Sequence, residues 1–118
     1  MVTMSIISPS LSQEINQLHA DICSALADPS RILLLYALAE RSRTVNELAN
    51  DLGISQPTTS RHLKLLRERG LVSATRVGAS VEYRLTDDRL IQALDLLRTV
   101  LRDQLSRRAD LVGALDDQ

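Results

Sequence analysis

The sequence predicts a mainly α-helical chain that carries one small β-hairpin, in the order α-α-α-α-β-β-α. Three observations support this fold class. Aliphatic residues recur at helical spacing over most of the chain, strict alternation of apolar and polar residues occurs only at residues 80–85, and turn residues separate these segments. The core has to be aliphatic, because the 118 residues contain no Phe, no Trp and only two Tyr.

Two helices are predicted in the first third of the chain. Asp28 and Pro29 separate them, with Asp28 as the N-cap and Pro29 in the first turn of a second helix that runs to about Arg41. This second helix is apolar on most sides, which predicts a central, buried position. The first helix is predicted over residues 11–27, from apolar residues at helical spacing: Leu11, Ile15, Leu18, Ile22 and Leu26.

A third and a fourth helix, joined by a tight turn, form the most informative stretch. Thr44 and Glu47 have capping-box spacing at the start of the third helix. Gly53 follows where the chain must reverse, and glycine tolerates the left-handed conformation used there. Ser55 can cap the fourth helix, with Pro57 in its first turn. This pattern predicts a helix-turn-helix, and an ordinary helical hairpin is the alternative.

The fourth helix presents short polar and cationic side chains beside Leu63 and Leu66, which face the core. A recognition helix in the major groove of DNA needs small side chains near the bases and cations near the phosphates. Thr59 stands where an inward Val or Leu is usual, although its methyl group can still pack. The candidate DNA-binding residues on this helix are Ser55, Gln56, Thr58, Thr59, Ser60, Arg61, His62, Lys64 and Arg67.

The two strands after the recognition helix form a hairpin of the kind called a wing. They are predicted at residues 71–77 and 80–85, around a turn at Gly78. Arg76 and Arg84 are placed to reach flanking phosphates or the minor groove, which positions a protein more than it specifies sequence. Two solvated arginines are the alternative. The predicted fold is therefore a winged helix-turn-helix.

The charge distribution favours a nucleic-acid partner although the formal net charge of the chain is −1. Between Ser55 and Arg84 six cations outnumber two carboxylates, so this segment carries +4 and the rest of the chain carries −5. A basic region on an acidic body is expected of a DNA-binding protein that is not generally adhesive. The scarcity of aromatic side chains argues against binding of single-stranded RNA.

The last helix is predicted from about Asp88 to Val112, with Thr86 or Asp87 as its cap, because a wide apolar stripe runs along it. A chain of this length is expected to form one domain. The predicted organisation is a disordered N-terminal segment at 1–10, a winged helix-turn-helix DNA-binding and dimerisation domain at 11–112, and a frayed C-terminus at 113–118.

Two stretches resemble the ArsR/SmtB family of small winged-helix repressors from bacteria and archaea. They are residues 26–35, LADPSRILLL, and residues 55–72, SQPTTSRHLKLLRERGLV. With residues 83–85 at the end of the wing, the resemblance covers about residues 11–108. It implies a homodimer joined through the first and last helices, an operator that overlaps a promoter, and an unidentified inducer that releases the DNA.

Dimerisation is also expected from the residues themselves. The terminal helices carry more apolar surface than a 118-residue monomer can easily cover. A two-fold dimer would place two recognition helices about one DNA turn apart on a palindrome of double-stranded DNA.

The two metal sites that are common among ArsR/SmtB relatives are not predicted here. The helix before the recognition helix has no thiol, and the last helix has carboxylates but no histidine, which suits zinc, nickel and cobalt poorly. No cofactor is expected. Cys23, with His19 one turn earlier, leaves three interpretations open: a buried structural thiol near the helix interface, a redox or electrophile switch, or a pair of metal ligands. The first is our expectation.

Other classes of function are less well supported. The sequence has no nucleophile with a plausible base, no phosphate-cradling loop and no paired carboxylates at a cleft signal, so an enzyme is not expected. No apolar run approaches the roughly 18 residues that span a membrane. The absence of a basic secretion-signal region and the single cysteine predict a cytoplasmic protein. A winged helix that contacts other proteins is the competing function, and it predicts no salt-dependent DNA binding.

Overall fold

The computed structural model describes residues 6–116, and it contains a winged helix-turn-helix, as the sequence predicts. The chain divides after Thr86 into two compact units. The first unit holds four α-helices and three strands, and the second is a single helix. In chain order the elements are α1 (Pro9–Leu18), α2 (Pro29–Glu40), β1 (Arg43–Thr44), α3 (Val45–Leu52), α4 (Gln56–Glu68), β2 (Val72–Val77), β3 (Ser80–Leu85) and α5 (Arg89–Asp116).

The prediction of one continuous helix over residues 11–27 is wrong. After α1 the chain forms a π-helical turn at His19–Cys23 and then a 3-10 turn at Ala25–Ala27. The Ser24 amide bonds the His19 carbonyl at 3.0 Å, five residues back rather than four. Side chains from other parts of the fold bond the carbonyls of this segment, which a local pattern of apolar residues does not reveal.

The start of α1 also differs from the prediction of disorder over residues 1–10. The helix begins at Pro9, and the Ser8 side chain accepts a hydrogen bond from the Leu11 amide at 3.1 Å. Proline suits the first helical position, where its missing N–H removes no helical bond. Residues 1–5 lie outside the described part of the chain.

The core of the first unit is aliphatic and is centred on α2, as predicted. Asp28 caps this helix by accepting from the Ser30 amide at 2.8 Å. The buried core residues of the unit come from the 3-10 turn, from α2 to α4 and from the start of the wing; they are Ala25, Leu34, Leu35, Leu38, Leu48, Ala49, Leu63, Leu66, Leu71 and Val72.

The capping box at the start of α3 is confirmed. Thr44 Oγ1 accepts from the Glu47 amide at 3.2 Å, and Glu47 Oε1 accepts from the Thr44 amide at 3.2 Å. Arg41 donates to the other Glu47 oxygen at 2.9 Å. The bond from Arg41, and then the bond from the Thr44 backbone, hold the pKa of Glu47 below its usual value.

The turn between α3 and α4 also has the predicted form. Gly53 has φ 67° and ψ 32°, which is the left-handed conformation. The Ile54 amide bonds the Ala49 carbonyl at 3.1 Å and closes the corner. Ser55 caps α4, and Pro57 lies in its first turn.

The wing is a three-stranded antiparallel sheet in the order β1-β3-β2, so it has one strand more than the predicted hairpin. The additional strand is two residues long, and it pairs Arg43 with Tyr83 and Thr44 with Glu82. Arg43 holds the strand in place because its Nε donates to the Ala37 carbonyl at 3.1 Å, while its two Nη atoms bond Glu40 and Asp51.

The second unit, α5, extends further than predicted. It continues through Asp116, so the expectation of a frayed end from residue 113 is wrong for residues 113–116; the last two residues lie outside the described chain. Asp87 accepts from the Arg89 amide at 2.9 Å and pairs with the Arg89 guanidinium at 2.7 Å. The bond from the Arg89 side chain, and then the bond from its amide, lower the pKa of Asp87 to about 2.

Candidate nucleic-acid interface

The recognition helix α4 has one side in the core and one side in solvent. Leu63 and Leu66 are fully buried. Arg61, Lys64 and Arg67 are exposed, and their spacing of three residues sets them in one oblique row along the outer surface. The burial of the two leucines therefore determines which way the cations point.

Thr59 has to be removed from the predicted interface. Its side chain is fully buried, and its hydroxyl donates to the Ser55 carbonyl at 2.9 Å. This bond satisfies the hydroxyl inside the fold, so threonine substitutes for the usual inward aliphatic residue by packing its methyl group. A residue with no exposed surface cannot contact a base or a phosphate.

A network of polar side chains orients the N-terminal end of α4. Thr58 Oγ1 accepts from Ser55 Oγ at 2.9 Å and from Arg61 Nη2 at 3.1 Å. Gln56 donates from Nε2 to the side-chain oxygen of Asn46 on α3. N-terminal residues of a recognition helix are the ones that contact base edges, and here they are held before any ligand arrives.

An open cleft of about 590 Å³ lies between α4 and the wing, lined by Ser60, Arg61, Lys64, Arg67, Glu68 and Tyr83. Three cations and one carboxylate give it a positive charge. Sequence reasoning missed Glu68 and Tyr83 as members of this site. Helical spacing could have found Glu68, which lies four residues after Lys64, whereas the position of Tyr83 depends on how the wing folds back.

His62 is half-buried and contacts α2 rather than standing free on the outer surface. Arg31 Nη1 lies 3.4 Å from His62 Nδ1. Since an arginine nitrogen can only donate, His62 Nδ1 is the acceptor in this contact. His62, which the sequence predicts among the DNA-binding residues, therefore turns its Nδ1 edge toward α2.

The two wing arginines lie on opposite faces of the sheet. Arg76 pairs with Val81, and Arg84 pairs with Ser73. Paired residues share a face and successive residues alternate, so Arg76 lies on the same face as Tyr83, while Arg84 lies on the other face. Both side chains are exposed. Arg76 is therefore on the side of the cleft and near the wing turn, and Arg84 is nearer the base.

The sensor candidates lie in the irregular segment after α1. Cys23 is exposed, so the expected burial of its thiol is wrong within one chain, and any burial has to come from a second chain. His19 is exposed as well. The π-helical turn changes the spacing on which their pairing was predicted. Within residues 6–116, no group of three or more His, Cys, Asp or Glu side chains could hold a metal ion.

The fold and this surface define a winged helix-turn-helix protein. The profile of the bacterial regulatory proteins of the arsR family matches residues 28–74. The HTH-type transcriptional regulator Rv0081 of Mycobacterium tuberculosis is 36% identical over 107 residues, which cover 90% of this chain and 91% of that protein. The chain belongs to the arsR family of bacterial regulatory proteins.

Two further comparisons agree with this assignment. The HTH-type transcriptional repressor SmtB of Mycobacterium tuberculosis is 41% identical over 78 residues, which cover 66% of this chain but only 58% of that repressor. The crystal structure of Rv0081 superposes with a TM-score of 0.70 at 32% identity, covering 86% of this chain and 98% of that one.

A solved structure from Mycobacterium bovis, a homodimeric winged helix-turn-helix DNA-binding domain, has a TM-score of 0.72 at 29% identity, covering 88% of this chain and 95% of that one. The structural similarity therefore extends beyond residues 28–74, which the family profile covers, to most of both chains. No helix in the described part of this chain is both long and apolar enough to cross a membrane.

Proposed function

We propose that this protein is a sequence-specific DNA-binding transcriptional repressor, which acts as a homodimer and leaves its operator in response to an unidentified signal. The observation that carries the proposal is the outer surface of α4, where exposed cations flank a pre-oriented polar N-terminus. The cations can contact phosphates, and the polar N-terminal end of α4 can contact base edges. We expect it to act in the cytoplasm on a palindromic operator.

The site residues of this proposal fall into two groups. On α4 we retain the exposed or half-exposed side chains, with His62 as a packing residue that can reach phosphate only through its outer edge. On the wing, Arg76 is preferred to Arg84 because it lies on the face of the cleft. The α4 group is Ser55, Gln56, Thr58, Ser60, Arg61, His62, Lys64 and Arg67.

Apolar side chains on the first and last helices support the homodimer. On α1, Leu11, Ile15 and Leu18 are between 39% and 50% exposed. On α5 the exposed apolar residues include Leu97 and Leu101. Exposed apolar surface of this extent marks an interface, and both helices belong to the predicted one. A relative from Mycobacterium bovis is a homodimeric winged helix-turn-helix DNA-binding domain, which supports the proposal of a homodimer.

The signal that releases the DNA is the open part of the proposal. Exposure of Cys23 favours a thiol-responsive input as the second candidate, because a reagent could reach the sulfur in one chain. A metal-responsive input through Cys23 and His19 has less support, since the π-helical turn alters their spacing.

The test uses a duplex selected by the purified protein from a random library, and a scrambled duplex as the reference. Fluorescence anisotropy should show tighter binding to the selected duplex. Affinity should fall by about 10³-fold or more between 50 and 200 mM salt if six or more phosphates are contacted. Arg61→Ala should weaken binding and leave the helical circular dichroism unchanged.

Matched arginine variants give the controls. Arg107→Ala removes a cation of α5 that is not among the proposed DNA contacts, and it should leave the affinity unchanged. Arg76→Ala should weaken binding more than Arg84→Ala, because only Arg76 lies on the cleft face of the wing. Equal affinity of the protein for selected and scrambled duplexes would refute the proposal.

A further inference from the structure

The irregular segment from His19 to Ala27 offers backbone carbonyls to donors outside the segment. In a regular α-helix the Ala20 carbonyl would accept from the Ser24 amide, but that amide bonds His19 instead. The Ala20 carbonyl accepts from the Ser24 hydroxyl and from an arginine. The Ser24 and Ala25 carbonyls accept from a second arginine. Departures from α-helical bonding therefore create acceptors for two guanidinium groups.

The first guanidinium belongs to Arg69, which caps the C-terminal end of α4. Its Nη1 donates to the Ala20 carbonyl and lies 3.6 Å from Asp21 Oδ1. The side chain is 32% exposed. Arg69 counts toward the basic charge of residues 55–84, yet it is directed at the segment after α1 and not at the cleft.

The second guanidinium belongs to Arg31, near the start of α2, and its side chain is 16% exposed. Its Nε donates to the Ala25 carbonyl at 2.7 Å and its Nη2 to the Ser24 carbonyl at 3.3 Å. Its Nη1 donates to His62 Nδ1, in the middle of α4. One rigid, planar group therefore connects the irregular segment to the recognition helix.

We propose that Arg31 and Arg69 are positioning residues for DNA binding, which link residues 19–27 to the middle and the C-terminal end of α4. The inference rests on the proposed function. The contacts at His62 and at the C-cap Arg69 are seven residues apart, so together they restrict both translation and tilt of α4. A change in the segment after α1 is thereby transmitted to the surface that meets DNA.

The coupling must act in both directions, because linkage between two sites is reciprocal. Binding of a duplex to α4 therefore alters the stability of hydrogen bonds in residues 19–27, which carry none of the proposed DNA contacts. If Arg31 and Arg69 contributed only to folding, the hydrogen bonds of residues 19–27 would be equally stable with and without DNA. This difference separates a positioning role from a contribution to folding.

The variants exploit the different geometry of the two arginines. Arg31→Lys leaves one ammonium group that cannot reach both carbonyls and His62, so the link to α4 is broken while the charge is kept. Arg69→Lys can still reach the neighbouring Ala20 carbonyl and Asp21, so it should retain function, whereas Arg69→Ala should not. Since Arg69 is partly exposed, these variants remain informative if Arg31→Lys fails to fold.

The experiment combines affinity with hydrogen exchange in the full chain, using the selected duplex. In the wild type, the duplex should slow exchange of the amides at residues 20–27. Arg31→Lys and Arg69→Ala should abolish this change and weaken binding by roughly 5- to 150-fold, the usual range of coupling between sites. The slope of affinity against salt should stay unchanged, because no phosphate contact is lost.

The possible results are distinguishable. A wild type that does not discriminate between duplexes overturns the proposed function and this inference together. A wild type that discriminates, but whose exchange at residues 20–27 ignores the duplex, overturns the inference alone. A salt slope that falls by about 1.8 in Arg69→Ala, or about 0.9 for each subunit of the dimer, would show that Arg69 contacts a phosphate directly and is not a positioning residue.

Discussion

The α3–α4 pair and the segment from Pro9 to Ala27 differ in which residues bond the free backbone groups at their helix ends. In the α3–α4 pair, residues within a few positions of each end supply the caps: Thr44 with Glu47, Gly53, and Ser55. In the first segment, the C-terminal carbonyls are bonded by Arg31 and Arg69, which lie far away in sequence.

The two regions also differ in where their apolar side chains lie. Those of α3 and α4 are inside the unit, with Leu48, Leu63 and Leu66 fully buried. No residue of α1 is buried, and in the segment from Pro9 to Ala27 only Ala25 is. Locally closed, buried helices hold the fold of a single chain, whereas α1 is exposed and continues into residues 19–27, whose carbonyls are bonded by distant arginines. The exposed surface of α1 is free to respond to a partner. This contrast can be tested by substitutions in each region.

The largest effect is expected for Leu66→Ala in α4, compared with Ile15→Ala in α1. Leu66 is fully buried, so its truncation should lower the free energy of unfolding by about 2–5 kcal/mol. Ile15 is 50% exposed in the chain, so its truncation should act chiefly through the homodimer. Chemical denaturation at two protein concentrations, about 100-fold apart, measures both.

The dependence of stability on protein concentration distinguishes a loss within one chain from a loss at the dimer interface. The loss in Leu66→Ala should be similar at both concentrations, because the cavity lies within one chain. The loss in Ile15→Ala should appear in the dissociation of the dimer, since binding of a partner stabilises the folded state by mass action. If Ile15→Ala destabilised a verified monomer as much as Leu66→Ala, the contrast between the two regions would be wrong.

A smaller effect is expected from Gly53→Ala at the α3–α4 turn, compared with Gly113→Ala in α5. Gly53 has φ 67°, where an alanine is strained by about 1 kcal/mol, although an added Cβ would meet no atom within 4 Å. Gly113 lies in a helix with equal space around it, so alanine there should stabilise by up to about 1 kcal/mol. Thermal denaturation of both variants tests the opposite signs.

The space around both glycines makes this pair informative. A steric explanation would predict equal tolerance, whereas the conformational explanation predicts a loss at Gly53 and a gain at Gly113. Equal shifts in melting temperature for the two variants would contradict the importance of the left-handed turn.

The helices whose ends are capped by neighbouring residues are those that the sequence predicts well. Asp28 with Pro29, the capping box and Gly53 each act within a few residues, so their spacing alone identifies the ends of α2, α3 and α4. The exposed row of cations on α4 follows in turn, because burial of Leu63 and Leu66 orients the helix.

The features that the sequence could not reveal depend on distant partners. The irregular segment at residues 19–27 is bonded by donors from α2 and from the end of α4, and the short strand β1 pairs with β3. The sequence places Thr59 at the DNA surface, and its burial is not evident from the sequence because its methyl and hydroxyl groups suit opposite environments. The opposite faces of Arg76 and Arg84 depend on the pairing register of β2 and β3, which the sequence alone does not determine.

The smallest effect is expected for Cys23→Ser. Cys23 lies in the irregular segment, but the contacts that link this segment to α4 are made by the backbone carbonyls of neighbouring residues and not by its side chain. Serine has nearly the same size, and the exposed position imposes no cost of burying a hydroxyl. DNA affinity should therefore be unchanged, and a reporter in cells should respond normally to oxidant, sulfide and metal stress. Loss of the response to any one stress, with repression intact, would instead identify Cys23 as the sensor and residues 19–27 as the first segment to move.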